Sequence, residues 1–417
     1  MSNFIELNGD SYSNGLAMGR CWKKHLEHRI SRMREIQKDK NISDAVMSTR
    51  ASYFGKILGK VSAKWLDETK GIADGAKVEY ESILMLNCLP PDFHAKKAEN
   101  CTSFISIGED KNSLFKIRDE RNNVQCFRIV RMSGRNLQFG HDIGNMGTAH
   151  FFSSSPLAGA NNTGSKTEQV TDEPVLNDCH ILRYLGENSN TLDEVLINLE
   201  KLFAGKMVGG AGKNRGSIFL FVDKESGIVI ECTSEDYSVQ RVTKGTVIVS
   251  NNFITPKAVA WESAPPSENS LTRRKRLTEL MSKKNGVFGV EDIFAFSRDR
   301  ENVPDSLCND DLVHFWMTIS AQLQVINRAE PGKSLNYACC GNTRHSVYLP
   351  FGTKADKNFI PLLDGSFYEK TDSAYRRFLC ADRMGDAQEA FERIMVENPE
   401  ETELFNRAYD FLLSQNK

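Results

Sequence analysis

The spacing of apolar and polar positions changes once along this chain, near residue 100. Before that point apolar residues recur at helical intervals. Leu16, Met18, Trp22, Leu26 and Ile30 fall on one side of a helix predicted over 14–37, and a second helix is predicted over 42–66. Residues 7–12 read as a short strand and turn. Gly71 and Gly75, within 66–78, predict breaks or caps of short helices. The apolar Leu84-Met85-Leu86 runs into a loop at Leu89-Pro90-Pro91, and the polar stretch 92–100 is expected to be exposed.

After residue 100 the runs shorten and turn β-prone. Strands are predicted at 104–107, 114–117, 126–130, 137–139, 150–152, 217–222, 228–232, 237–242, 246–250, 316–326, 335–338 and 346–349. Helices are predicted at 178–185, from the Thr191-Leu192-Asp193-Glu194 capping box onward, at 270–281 and 290–297, and in the tail at 375–414. Strands cluster with strands and helices with helices, which predicts an α+β arrangement of packed layers. No fixed-period repeat or low-complexity segment interrupts it.

Composition narrows the class. The 417 residues are 40 % hydrophobic and 26 % charged, with a net charge of −2, so no polyanion or membrane surface is called for. The first residues lack a basic and apolar leader, and no apolar run reaches the roughly 18 residues of a membrane span. The ten cysteines are scattered without a CxxC pair. The expectation is a cytoplasmic protein with reduced thiols.

One cysteine has chemistry around it. Asn100-Cys101-Thr102-Ser103 leads into the strand Phe104-Ile105-Ser106-Ile107. A thiol at the start of a strand, deep in the chain, points to a residue unmasked as a new N-terminus by cleavage of the Asn100–Cys101 bond. The freed α-amine, with an ordinary pKa of about 7.7–8.0, can serve as base to the thiol beside it. The thiol itself can make the cut by attacking the Asn100 carbonyl. A buried structural cysteine is the plainer alternative, and Cys232-Thr233-Ser234 repeats the tripeptide at the end of a strand. A hairpin from 104–107 to 114–117 would return Arg118 and Asp119 beside Cys101, where an arginine lowers a thiol pKa and a carboxylate holds an amine. The run 247–250 ends in Asn251 and Asn252, either oxyanion donors or an Asx turn. Ser270 to Leu277 is an amphipathic helix with a basic face, read as solvated or structurally paired rather than nucleic-acid binding. No HExxH, histidine ligand spacing or nucleophile elbow is present, so neither metal nor cofactor is expected. Gly209-Gly210-Ala211-Gly212-Lys213 lacks the P-loop's first glycine and its Ser/Thr, and reads as a flexible loop near the site.

In order and spacing these stretches resemble the acyl-coenzyme A:6-aminopenicillanic-acid acyltransferase family, autoproteolytic cysteine hydrolases of the N-terminal-nucleophile (Ntn) superfamily. The likeness rests on Leu7-Asn8-Gly9 with Tyr12, Gly15 and Gly19, and on Glu68-Thr69-Lys70-Gly71-Ile72-Ala73-Asp74-Gly75. It continues through Cys101 to Phe104, Asp119, the turn Leu157–Gly164, Ser250-Asn251-Asn252-Phe253, and Ser270 to Leu277 with Arg273 and Arg276. It implies a four-layer αββα sandwich: a mainly helical N-terminal segment, 1–100, cut from a catalytic region, 101–417, and remaining bound to it. It further implies amide hydrolysis or acyl transfer through a cysteinyl thioester at Cys101. Asn251 would hold the oxyanion, Asp119 and Arg118 the amine or a polar substrate end, and Asn252, Arg273 and Arg276 the substrate. The expected partners are a small amide or acyl donor and the chain's own N-terminal fragment, with no nucleic acid or membrane; a homo-oligomer is compatible. An uncleaved binding protein of the same fold and a dipeptidase are the alternatives. Asn100 stands where many relatives have Gly, Lys116 and Ile117 where they have Arg and Asn, and Asn252 where they have His.

Overall fold

The structure, a computed structural model, describes residues 4–90, 93, 100–120, 125–132, 135–142, 144, 146–212, 214–286, 288–311, 316–344, 347–352, 392, 393 and 396. The predicted tail helix at 375–414 and most of the polar stretch at 92–100 lie outside them.

The N-terminal strand β1 (Phe4–Leu7) leads into α1 (Ser11–Cys21), α2 (Lys23–Asp39), α3 (Asp44–Val61), α4 (Ala63–Ala76) and α5 (Tyr80–Asn87). The single helix expected over 14–37 is two, because Trp22 leaves helical geometry (φ −107°, ψ 17°) between α1 and α2. The glycines at 71 and 75 do not break α4; they let it touch α1. A Cβ on Gly71 would lie 2.2 Å from the Tyr12 carbonyl oxygen, and one on Gly75 2.3 Å from that of Leu16. From the other side, Gly15 and Gly19 meet the carbonyls of Glu68 and Ile72 equally closely. Glycine is required on both helices by close approach rather than by a turn.

Strands follow from residue 100: β2 (Asn100–Ile107), β3 (Lys111–Glu120), β4 (Gln125–Met132), β5 (Arg135–Asp142), β6 (His150–Ser153) and β7 (Ala158–Lys166). The stretch 157–164, expected as a turn, is mostly β7. Its glycines and asparagines are buried, with Gly159 making room for the Phe151 ring. Then come α6 (Asp178–Asn188), α7 (Leu192–Ala204), β8 (Arg215–Val222), β9 (Gly227–Cys232), β10 (Tyr237–Val242), β11 (Gly245–Val249), α8 (Pro256–Val259), α9 (Glu268–Ser282) and α10 (Val290–Phe296). The described elements end with β12 (Asp310–Asp311), β13 (Trp316–Asn327), β14 (Leu335–Cys340) and β15 (Leu349–Gly352).

These strands form two sheets. The first runs β1-β4-β5-β6-β7-β8-β9-β10, antiparallel except for β1 beside β4. The second runs β11-β2-β3-β13-β14-β15, with β12 on β13. Ile105, Ile107 and Leu114 of the second sheet meet Phe152, Ile218, Leu220 and Val229 of the first. On the first sheet's outer face, Met18, Phe54, Trp65, Leu182 and Leu199 share one core with Phe139, Phe151 and Phe219. On the second sheet's outer face, Leu277, Met281 and Phe294 of α9 and α10 cover Phe104, Phe115 and Ile117. The chain is therefore α+β, two sheets face to face with helices outside each. The described residues before 100 are part of this body: they supply an edge strand, and they are tied in by Glu68. Its carboxylate bonds Arg183 of α6 twice at 2.7 Å and Arg128 of β4 at 3.2 Å, all three buried.

Candidate active site

The ladder between β11 and β2 ends at Val249↔Ser103, two residues short of Cys101. Cys101 is only 2 % exposed, so its backbone groups on that side need other partners. Side chains supply them. The Cys101 N–H donates to Asn251 Oδ1 at 2.9 Å, and Arg273 Nη1 donates to the Cys101 carbonyl oxygen at 2.6 Å. The same guanidinium reaches Thr102 Oγ1 at 2.6 Å, Asn251 Oδ1 at 2.7 Å and, through Nε, Asn269 Oδ1 at 3.0 Å. Burial lowers the Arg273 pKa from the ordinary guanidinium value, while Asp119, Cys101 and Asp305 pull it back up.

Asn251 is itself fixed. Its Nδ2 donates to the Thr163 carbonyl at 3.0 Å, and its backbone N–H donates to Ser270 Oγ at 2.9 Å. It thus shows Cys101 an acceptor oxygen; an oxyanion role would fall to the second hydrogen on Nδ2. Asn252 turns the other way: its Oδ1 accepts from Ser250 Oγ and Ser270 Oγ, and its Nδ2 donates to the Phe253 carbonyl. Arg276 forms a bidentate pair with Asp299 at 2.9 and 2.6 Å on the flank of α9. Of the two arginines singled out in the sequence, only Arg273 reaches Cys101.

The hairpin expected between 104–107 and 114–117 is present, with Cys101↔Arg118 and Asn100↔Asp119 as directly opposite pairs. Opposite residues share a face of the sheet and neighbours alternate. Cys101, Ser103, Lys116 and Arg118 therefore face the first sheet, while Asn100, Thr102 and Asp119 face the helices. The contacts agree: Ser103 Oγ donates to Asn162 of β7 at 2.8 Å, whereas Thr102 meets Arg273 of α9. Arg118 pairs with Glu120. Asp119 accepts from Thr318 Oγ1 at 2.6 Å. Burial raises the Asp119 carboxyl, Arg273 and Thr318 oppose this, and the net pKa is about 7.

Lys116, which the sequence presents as part of a charged run and a departure from the family pattern, lies in a buried setting. It is 2 % exposed, and its ammonium is held by the Asn161 carbonyl and by Asn161 Oδ1, the latter at 2.9 Å. Asn161 Nδ2 in turn donates to Asp178 at 2.6 Å. The available signal was the alternation Leu114-Lys116-Arg118, which places cations on the face of a buried strand that also carries a leucine. Asn269 and Thr318 carried no such signal, because each acts through a partner distant in sequence, whereas Thr102 and Ser270 lie within the motifs of the resemblance. The loop at 209–212 is held by Leu176 and Arg215 through Gly209 N–H and Ala211 N–H, and Lys213 lies outside the described residues. Cys232 closes β9, with its thiol pKa pushed up by burial. Among the described residues no cluster of His, Cys, Asp and Glu could hold a metal ion, and no helix is long and apolar enough to cross a membrane.

No protein-family model matches the chain, and no curated protein matches it. Among solved structures it is similar to two variants of the conjugated bile acid hydrolase from Clostridium perfringens. One has a TM-score of 0.34 at 10 % identity, covering 62 % of this chain and 97 % of that one. The other has a TM-score of 0.34 at 11 % identity, covering 60 % and 97 %.

Proposed function

We propose that the chain is an Ntn-type cysteine amidase or acyltransferase, a four-layer αββα body whose nucleophile Cys101 becomes an N-terminus when the Asn100–Cys101 bond is cut. The observation that carries this reading is the clamp on the Cys101 backbone: Asn251 Oδ1 on its nitrogen and Arg273 on its carbonyl. An acceptor 2.9 Å from that nitrogen is already placed to hold the α-amine that cleavage would create.

In the cleaved enzyme the α-amine takes the thiol proton, and the thiolate attacks the acyl carbonyl of a small amide. Arg118 stands cross-strand from Cys101, on the same face, with its guanidinium paired to Glu120. The second Nδ2 hydrogen of Asn251 meets the oxyanion. The α-amine returns its proton to the leaving amine, and water or a second amine resolves the thioester. Lys116 and Arg118 lie on the same face as the thiol, but their cations are already held by Asn161 and Glu120, so the substrate class is a small N-acyl amide, with dipeptides the alternative. Residues 1–100 remain attached through the shared core and the Glu68 pairs.

The test is amine release from panels of N-acyl amino acids and dipeptides by the wild type and Cys101→Ala. Turnover by the wild type alone supports the reading; appreciable turnover by Cys101→Ala sinks it. The burial of Cys101 at 2 % exposure favours one second reading, an uncleaved binding protein of the same fold. That protein would stay full-length and bind its ligand without turning it over.

A further inference from the structure

We infer that the outer face of the first sheet carries a binding site for a carboxylate, formed by Arg215, Ser217 and Thr163 where β7 ends and β8 begins. The site goes beyond the reaction proposed for Cys101 and stands without it.

Strand alternation places the three groups together. Arg215 and Ser217 are two residues apart in β8, so they share a face. It is the outer face, because Phe219 and Phe221 continue it into the core beneath the helices. Thr163 of β7 is directly opposite Ser217, a placement that sets Cβ atoms about 4.5–5.5 Å apart. Asn161, two residues before Thr163, meets Asp178 of α6 on the same side.

Each group is short of a partner among the described residues. Thr163 and Ser217 are 3 % and 0 % exposed, and neither hydroxyl oxygen makes a hydrogen bond. Buried hydroxyls are costly to leave unpaired, so two on facing positions mark a place for a polar guest. Arg215 is half-buried and pairs with no carboxylate. Its Nη1 donates to the Gly164 carbonyl at 3.2 Å, and burial lowers its pKa with no acid opposing the shift. A water molecule could satisfy the hydroxyls but not the guanidinium charge. A carboxylate satisfies both, taking the planar fork and the two O–H donors. Asp178 lies at the other end of the patch, beside Cys232, where after burial it helps to raise the thiol pKa. The anionic end of a ligand therefore belongs at Arg215. Beside it the chain runs Gly209-Gly210-Ala211-Gly212, and a Cβ on Gly212 would meet nothing within 4 Å. Thr163 joins this site to the clamp on Cys101, because its carbonyl accepts from Asn251 Nδ2 at 3.0 Å.

The experiment is isothermal titration of the full-length Cys101→Ala protein, at fixed ionic strength, with N-acetylglycine and its uncharged counterpart N-acetylglycinamide. N-acetylglycine is expected to bind saturably, and the amide at least about tenfold more weakly. Adding Arg215→Gln should abolish that preference, and adding Thr163→Val or Ser217→Ala should weaken N-acetylglycine binding roughly tenfold each. Neither hydroxyl bonds anything in the fold, so both of these variants should melt at or above the parent temperature, and their loss of binding cannot be put down to misfolding. Equal affinity for the two compounds, or unchanged N-acetylglycine affinity in Arg215→Gln or in both hydroxyl variants, overturns the inference and leaves the proposed function standing. The source of the carboxylate is read from turnover with Cys101 restored. If the substrate carries it, Arg215→Gln raises KM for N-acyl amino acids but not for their amides. If it is a free carboxylate, both KM values stay unchanged while the binding loss remains.

Discussion

Arg273 and Cys101 lie 172 residues apart in sequence, and the guanidinium of the first donates to the carbonyl oxygen of the second at 2.6 Å. Arg273 is buried and also bonds Thr102, Asn251 and Asn269, so one side chain ties α9 to β2 and to the turn after β11. Arg273→Met would leave these acceptors and Asp119 without a cation. Denaturant unfolding should show a loss of about 3–5 kcal/mol, the usual cost of breaking one half of a buried charged cluster. Arg273→Lys keeps the charge but loses the planar fork, so it should recover only part of that loss.

Asp119 makes stability depend on pH. Its folded pKa of about 7 stands above its ordinary 3.8. Below 3.8 the carboxyl is protonated in both states and has no effect. As pH rises toward 7 the unfolded chain ionises first, and stability is lost until the folded carboxyl ionises too. The interval corresponds to ~4 kcal/mol. Asp119→Asn removes the charge, so the variant should melt above the wild type at pH values over 7, with the difference closing below pH 4. Thermal melts across that range check the sign.

Glu68 acts in the opposite direction. Burial alone would raise its carboxyl, but Arg183 and Arg128 more than offset this and bring it from 4.5 to about 2. The stability it contributes is complete above pH 4.5 and disappears as pH falls through 2. Glu68→Gln should flatten the acid limb of the stability curve. Glu68→Ala, which strands two buried guanidiniums, should cost about 3–5 kcal/mol at neutral pH. In a cleaved protein it should also let the 1–100 fragment dissociate at lower denaturant, read by size-exclusion chromatography.

Two glycines in neighbouring helices should respond differently to alanine. At Gly71 the new Cβ meets the backbone oxygen of Tyr12 at 2.2 Å, and backbone cannot move aside cheaply. Gly71→Ala should destabilise by about 1–3 kcal/mol. At Gly55 of α3 the nearest atom is a Leu84 methyl at 3.5 Å, an ordinary contact. Gly55→Ala should be neutral or stabilising by up to about 1 kcal/mol. Urea midpoints of the two variants make the comparison.

The sequence carried the parts of this structure whose signals are local. The alternation around Phe104 and Leu114 predicted β2 and β3, and the short gap between them predicted the hairpin that sets Arg118 opposite Cys101. Periodicity predicted α6, α7, α9 and α10 within a few residues. What it misread were residues whose local preference yields to packing: Gly71 and Gly75, taken as breakers, are contact points, and Asn161 and Asn162, taken as a turn, lie in a buried strand with their amides satisfied. The site divides in the same way. Cys101, Asn251 and Arg273 were read from neighbouring residues and family resemblance, and the fold brings them together. The expected position of Asp119 beside the thiol overlooked strand alternation, which puts neighbouring residues 118 and 119 on opposite faces. Thr318 takes its setting from a strand far away in the chain, which no local pattern reports.

The central claim is that Cys101 becomes an N-terminus, and intact-mass measurement with N-terminal sequencing of purified wild-type protein tests it most directly. Two chains that co-purify are expected, their masses summing to the precursor plus the one water taken up by hydrolysis, the larger beginning Cys101-Thr102-Ser103. A single full-length chain that stays uncut while folded would contradict it.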